Sequence, residues 1–261
     1  MESYTNFAEV YDTFMDQTSY EDWADRLLSM MKKYGRKGNE EGDRLVVDLG
    51  CGTGKVTEML ADLDYQMIGV DLSVDMLGIA QNRKMELGHD TLYVCQDMRE
   101  LDLGCQAGTF ISVGDSINYL LSTDDLVRMF SGVREYLLDN GIFVFDFKTL
   151  HLYRDVIGDR TIAEDREDCA FIWDNWFDEE KHINEYDLTL FIHEPEDERG
   201  LFRRYEEVHY QRGYTLEEVK EAAEKAGLVW VTETDTDTDE PVSDQTERIL
   251  AVVRKVEEKK A

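Results

Sequence analysis

The sequence predicts an α/β fold in which a parallel sheet is covered by helices on both faces. Short apolar runs alternate with amphipathic stretches through the first 150 residues, and the runs read as buried strands with no polar alternation. After Lys148 the pattern changes: aromatic-rich runs follow one another with no helix between them, which predicts an antiparallel insertion. At 261 residues the chain suits one such domain with an elaboration and is short for two.

Residues 5–34 read as two helices, with Phe7, Val10, Tyr11 and Phe14 spaced along the first and Trp23, Leu27, Met30 and Met31 along the second. A turn-rich segment fills 35–43. Leu45–Leu49 is a strand, Lys55–Leu63 a helix, Met67–Val70 a strand, and Ser73 to about Met85 a helix opened by a serine cap. Leu92–Cys95 and Phe110–Val113 are strands. Ser122–Leu138 is a helix with Leu126, Met129, Phe130, Val133 and Leu137 along one stripe, and Gly141–Phe147 is the next strand. Residues 170–177, 183–192 and 201–211 then form a three-stranded meander with acidic turns at 178–181 and 194–200. Helical periodicity returns where Thr215 and Glu218 make a capping box, Val219, Ala222 and Ala223 share a face, and Gly227 ends the helix. Two last strands fit Leu228–Thr232 and Arg248–Val253, and the acidic loop between them reads as solvated surface.

The chain carries 58 acidic against 28 basic side chains, a formal net charge of −30. Such a field repels phosphates, so bulk nucleic acid and anionic lipid are not expected partners. Hydrophobic residues reach 42%, enough for a core, so the acidity does not signal disorder. No stretch approaches the roughly 18 apolar residues of a membrane span, and the N-terminus has no secretory character. Cys51, Cys95, Cys105 and Cys169 share no C-x-x-C spacing, so reduced thiols in a cytoplasmic protein are expected. His89, His151, His182, His193 and His209 show no metal-ligand pairing, and no metal is expected.

One segment carries chemistry. VVDLGCGTGKV, residues 46–56, runs from a strand through Gly50-x-Gly52-x-Gly54 into a helix. Glycine lets backbone turn tightly beside a ligand, and the helix start offers free N–H groups. Asp71 ends the second strand 21 residues after Gly50, where a carboxylate suits ribose hydroxyls. Asp97 and Met98 end the third strand, placed for an exocyclic amine and a ring nitrogen. All three features fall at the carboxyl ends of strands, where open α/β sheets bind ligands. The glycine spacing is not the G-x-G-x-x-G of dinucleotide folds, and Asp48 would not welcome a pyrophosphate. A nucleoside with a cationic amine and no phosphate fits: S-adenosylmethionine (SAM).

The run Asp48-Leu49-Gly50-Cys51-Gly52-Thr53-Gly54 resembles the first motif of the class I SAM-dependent methyltransferases. The resemblance implies a doubly wound, mostly parallel seven-stranded sheet with the last strand antiparallel, N-terminal helices and a small three-stranded antiparallel insertion. Residues 1–149 and 213–256 would form the SAM-binding domain, capped by helices within 1–34, and 150–212 the insertion, a lid that binds the acceptor. Gly50, Cys51, Gly52, Thr53 and Gly54 would wrap the methionine part of the cofactor, with Asp48 near its amino group. Asp71 would hold the ribose, Leu72 and Met76 would pack near the adenine, and Asp97 with Met98 would read it. VGDSINYL, 113–120, is similar to the loop that faces cofactor and substrate, which singles out Asp115, Asn118 and Tyr119. FAEVYDTFM, IWDNWFDEEKHINEYDLTL, YEEVHYQRGYTLEEV and ERILAVVRK resemble a bacterial subgroup whose architectural relatives are small-molecule N-methyltransferases. There a tyrosine on an N-terminal helix closes over the cofactor, and Tyr11 sits at the matching place.

Methyl transfer from a sulfonium needs alignment more than a nucleophilic side chain. A small-molecule amine acceptor is the leading expectation, with Asp115, Tyr119 or Tyr11 assisting proton loss; a hydroxyl acceptor would call for a base such as His151 or His209. Trp173, Trp176, Phe177, Tyr186 and Tyr210 read either as core of the small sheet or as walls of an acceptor pocket. Arg203, Arg204 and Arg212 suit salt bridges or acceptor binding. A methyltransferase acting on tRNA or protein, a SAM-binding protein without transferase activity and a nucleotide oxidoreductase are the alternatives. Residues 151–240 hold 27 acids and 10 bases, so an acidic lid is expected to favour cationic or neutral acceptors. Oligomeric state is left open.

Overall fold

A computed structural model of the chain describes residues 4–16, 19–37, 42–194 and 199–257. Of the turns expected at 35–43 and 194–200, residues 38–41 and 195–198 lie outside the described residues. In chain order the elements are α1 (Phe7–Phe14), α2 (Tyr20–Tyr34), β1 (Leu45–Leu49), α3 (Lys55–Ala61), β2 (Gln66–Asp71), α4 (Val74–Leu87), β3 (Leu92–Cys95) and β4 (Ala107–Ser112). There follow α5 (Thr123–Tyr136), β5 (Leu137–Lys148), β6 (Thr161–Asp165), β7 (Cys169–Asp178), β8 (Ile183–His193), β9 (Phe202–Arg212), α6 (Leu216–Lys225), β10 (Val229–Asp235) and β11 (Arg248–Arg254).

Seven strands form one sheet in the order β10-β11-β5-β4-β1-β2-β3. Pairings from β3 through β1 to β5 are parallel, while β11 runs antiparallel to both its neighbours. Period-two alternation sends buried side chains to both faces. On β5, Phe143, Phe145 and Phe147 join the cluster under α5 and α6, which holds Leu126, Phe130, Val133 and Val219. Ile142 and Val144 of the same strand face the other way, against Leu27 and Met31 of α2 and Leu60 of α3. Both layers being apolar explains why these strands read as continuous hydrophobic runs.

Helices α2, α4, α5 and α6 begin where short polar side chains satisfy free amides. Ser73 caps α4, Ser122 caps α5, and Thr215 with Glu218 forms the reciprocal box at α6. No helix among the described residues is long and apolar enough to cross a membrane.

The insertion differs from expectation by one strand. It is a four-stranded antiparallel sheet, β6-β7-β8-β9, not three. The added strand β6 pairs with β7 from Thr161↔Asp174 to Asp165↔Ala170. Its sequence TIAED is short and exposed, so the hydrophobic pattern that marks buried strands is absent. The inner face of this sheet packs on α1 through Phe171, Leu188 and Leu190 against Phe7 and Val10.

Candidate active site

The strand order reverses beside β1, where β2 lies on one side and β4 on the other. A cavity of about 570 Å³ opens at the carboxyl ends of these strands. That is the topological switch point at which open α/β sheets take ligands, and the volume falls in the range of small-molecule pockets.

The glycine loop forms its floor. The amides of Gly50 and Cys51 both donate to the Val70 carbonyl, at 2.7 and 3.1 Å, which ties the loop to the end of β2. Gly52 has φ of +54°, and a Cβ there would meet nothing within 4 Å, so its α-carbon faces open cavity. Gly54 does not line the cavity. Its φ is +76°, and a Cβ there would strike the Tyr93 hydroxyl and Ala80, so its smallness lets α3 start close against β3 and α4.

Three carboxylates follow in order along the strand ends. Asp48 on β1 is 2% exposed and accepts a hydrogen bond from the Thr57 hydroxyl at 2.6 Å. Burial, reinforced by the charge of Asp71 and only partly offset by Thr57, pushes it up to about 7. Asp71 accepts from the Gly52 amide and the Ser73 amide, both at 2.8 Å. Each of its oxygens keeps a second lone pair for a hydroxyl. Burial raises it too, against the hydrogen bonds it receives. Asp97 also lines the cavity but is gripped by Arg99, whose Nε lies 2.9 and 3.0 Å from the two carboxylate oxygens. That fork holds Asp97 below its ordinary range. Met76, Met98 and the exposed side chain of Leu72 supply apolar wall.

The roof is the N-terminal segment. Tyr4, Thr5 and Tyr11 line the cavity, with Tyr20 and Trp23 of α2 beside them. On one flank Asp12 of α1 accepts from the Thr53 hydroxyl at 2.9 Å and pairs with Arg83 at 2.5 Å and Lys55 at 3.4 Å. On the other, Glu207 of β9 accepts from the amides of Tyr4 and Phe7, at 2.9 and 3.0 Å, and from the Thr5 hydroxyl at 2.9 Å. The Tyr20 hydroxyl on this wall lies beside the Tyr11 phenol. Burial raises the Tyr11 phenol well above its usual range.

Of the loop after β4, Tyr119 reaches the cavity wall and Asp115 does not. The expectation that Asp115 faces the cofactor needs correction. Its carboxylate is bound by Lys148 at 2.5 Å and by Arg248, which also pairs with Asp146 at 3.0 Å. Burial alone would raise Asp115, but the two cations outweigh it and hold the group below its ordinary range. Asn118 likewise stitches structure together: its amide donates to the carbonyls of Lys148 and Arg212 at 2.9 and 2.7 Å.

The remaining candidates stand apart from the cavity. Trp176 and Tyr210 lie on the outer face of the small sheet, 50% and 43% exposed. Trp173 and Tyr186 meet edge to face at 4.8 Å within it. His151 pairs with Asp155 at 2.8 Å outside the site. Arg203, Arg204 and Arg212 pair with Glu194, Glu206 and Glu218. His209 is buried behind Tyr119, with its Nδ1 3.0 Å from that hydroxyl. The sequence reading missed Tyr4, Tyr20, Trp23 and Glu207. For Glu207 a signal existed: two residues before His209 on a strand, it must share that residue's face.

The wall suits a molecule with a cationic amine, a sugar and a flat base. A buried carboxylate is offered by Asp48, paired acceptor oxygens by Asp71, apolar surface by Leu72 and Met76, and a cradle by Gly52. Comparisons agree with that chemistry. Residues 46–141 match the model of the methyltransferase domain family. A protein of Geobacillus sp. named as a methyltransferase is 31% identical over 97% of this chain and 100% of its own length. The dTDP-3-amino-3,4,6-trideoxy-α-D-glucopyranose N,N-dimethyltransferase of Streptomyces venezuelae is 32% identical over 53% of this chain and 56% of its own. Among solved structures, an S-adenosylmethionine-dependent methyltransferase from Clostridium acetobutylicum superposes with a TM-score of 0.84 at 26% identity, covering 98% of this chain and 100% of that one.

Proposed function

The chain belongs to the class I SAM-dependent methyltransferases, an enzyme family, and from that premise we propose that it methylates a small-molecule amine. SAM supplies the methyl group from its sulfonium. The observation that carries the amine reading is the charge of the wall. Asp48, Asp71 and Asp75 line the cavity, and the only cations of the wall among the described residues, Lys55 and Arg99, are each bound to a carboxylate. An anionic acceptor would find no free positive partner there, whereas an amine would be drawn in. The pinned N-terminal roof supports a small acceptor over tRNA or protein. The amino-sugar dimethyltransferase among the relatives supports an amine.

In this reading the residues have separate tasks. Asp48 pairs with the cationic amine of the methionine part, the loop of Gly50, Cys51, Gly52 and Thr53 wraps it, and Asp71 accepts from the ribose hydroxyls. Leu72, Met76 and Met98 flank the adenine, with Asp97 at its amino edge. Tyr11 and its neighbours close the roof and exclude water, so that acceptor and donor are held about 3 Å apart, the main source of rate in such displacements. The insertion, 150–212, sets acceptor choice through the contacts of β9 with Tyr4 and Tyr119.

The test is a screen of amines, amino sugars, hydroxyl metabolites and bulk tRNA with methyl-labelled SAM. Labelled product from an amine is expected. Label entering only hydroxyl compounds or tRNA would overturn the proposal.

A further inference from the structure

Behind Tyr119 stand two buried side chains that cofactor binding does not use. The Tyr119 hydroxyl lies on the cavity side 2.7 Å from the Tyr4 hydroxyl and on the other side 3.0 Å from His209 Nδ1. His209 Nε2 lies 3.1 Å from a Glu207 oxygen. His209 and Glu207 are 3% and 1% exposed, and neither lines the cavity. Glu207 accepts from three further donors, the amides of Tyr4 and Phe7 and the Thr5 hydroxyl. Burial raises it, yet the hydrogen bonds from His209, Phe7 and Thr5 outweigh that and hold it at about 2. An ionised Glu207 favours the tautomer in which Nε2 carries the hydrogen and donates to the carboxylate, which would leave the Nδ1 lone pair toward Tyr119.

We infer that Tyr119, His209 and Glu207 form a proton-accepting relay for the amine acceptor. The inference rests on the amine reading and deepens it. An ammonium has no lone pair and must shed a proton before it attacks a methyl group. The nitrogen gives that proton to the Tyr119 oxygen while the proton of Tyr119 passes to His209 Nδ1. The products are a neutral amine, a neutral tyrosine and an imidazolium facing the Glu207 carboxylate. Total charge is unchanged, and the positive charge has moved to where a buried carboxylate already waits. Burial holds the Tyr119 phenol well above its usual range, so it passes the proton on and does not stay a phenolate. Tyr119 is the group that meets the acceptor; His209 and Glu207 are positioning residues that act through it.

The surroundings of His209 favour this traffic. It faces Glu207 from its own strand, Tyr4 from the N-terminal segment at 4.9 Å between ring centroids, Tyr119 from the turn after β4, and Tyr186 opposite on β8. Asp115 adds its negative charge near Tyr119. The relay and the roof share Glu207, so seating the N-terminal segment also sets the imidazole.

Two measurements on the full-length protein test the relay. Nitrogen NMR of labelled histidine, with His209→Gln identifying the resonance, should show His209 as the Nε2–H tautomer, and Tyr119→Phe should shift Nδ1. The Nδ1–H tautomer, or an Nδ1 shift unmoved by Tyr119→Phe, overturns the relay whatever the acceptor is. With an amine from the screen, Tyr119→Phe and His209→Gln should each lower kcat by about 10²–10⁴. The dissociation constant of SAM should stay within about twofold, and KM for the amine should change far less than kcat. Retained kcat in both variants overturns the relay and leaves the amine reading standing. A screen that yields no amine product overturns both. Should His209→Gln fail to fold, Tyr119→Phe, which removes one oxygen only, carries the kinetic arm.

Discussion

Replacing Asp48 by Asn should make the ligand-free protein more stable and a poor binder of SAM. Asp48 is ionised at pH 8 in a site that burial has made hostile to charge, lifting it from 3.8 to about 7. That difference corresponds to about 4 kcal/mol carried as a stability cost by the ionised form. The sign follows from the raised value. The folded state holds the proton more tightly than the unfolded one, so the stabilisation is complete below the unfolded value and is lost as pH rises through about 7. Asn keeps an oxygen for the Thr57 hydroxyl and never ionises. Chemical denaturation followed by tryptophan fluorescence should therefore show Asp48→Asn more stable at pH 8 by up to about 4 kcal/mol, an advantage that shrinks as pH falls through 7 and closes near pH 4. Calorimetric titration should show SAM binding weakened by about two to three powers of ten, the cost of a buried ion pair missing one partner. Wild-type affinity should itself fall as pH drops below about 7, where Asp48 takes up its proton. A variant no more stable than wild type at pH 8, or one that binds SAM unchanged, would refute the reasoning.

Further tests separate cradle from scaffold. Gly52→Val projects into open cavity and should weaken SAM binding at least tenfold while costing about 1–2 kcal/mol of stability from its left-handed backbone. Gly54→Ala, which strikes Tyr93, should show the reverse balance in the same binding and denaturation assays. Arg248→Met leaves Asp115 and Asp146 as buried acids short of their cation, and thermal unfolding should report a loss of about 3–5 kcal/mol. Initial rates with a cationic amine should fall as salt rises from about 0.01 to 0.15 M, because the Debye length shrinks from about 30 to 8 Å. Rates indifferent to salt would remove the steering role of the acidic insertion.

Legibility in the sequence followed how local each feature is. The glycine loop, Asp48 and Asp71 sit within one strand–turn–helix–strand unit, and right-handed crossovers place the ends of such strands on one edge. Serine and threonine caps were readable because the capping amide lies three residues on. The strand β6 escaped because an exposed edge strand has no hydrophobic pattern to show. The aromatic residues of the insertion read as core of the small sheet more readily than as pocket; only the packing placed Trp173 against Tyr186 and Trp176 outside.

By itself the sequence determined the parallel sheet and the placing of the glycine loop, Asp48 and Asp71 at the carboxyl ends of its strands, because each depends on residues a few positions apart whose backbone needs are fixed by steric rules. Tertiary structure decided which charges meet. Asp115 lost its place at the cavity to Lys148 and Arg248, since a buried carboxylate turns to whatever cation packing brings beside it. Glu207 met the Tyr4 amide across 203 residues, and His209 met Tyr119 across 90. No periodicity records such meetings. They exist because burial leaves polar groups no solvent to turn to, and the fold alone determines which partner is within reach.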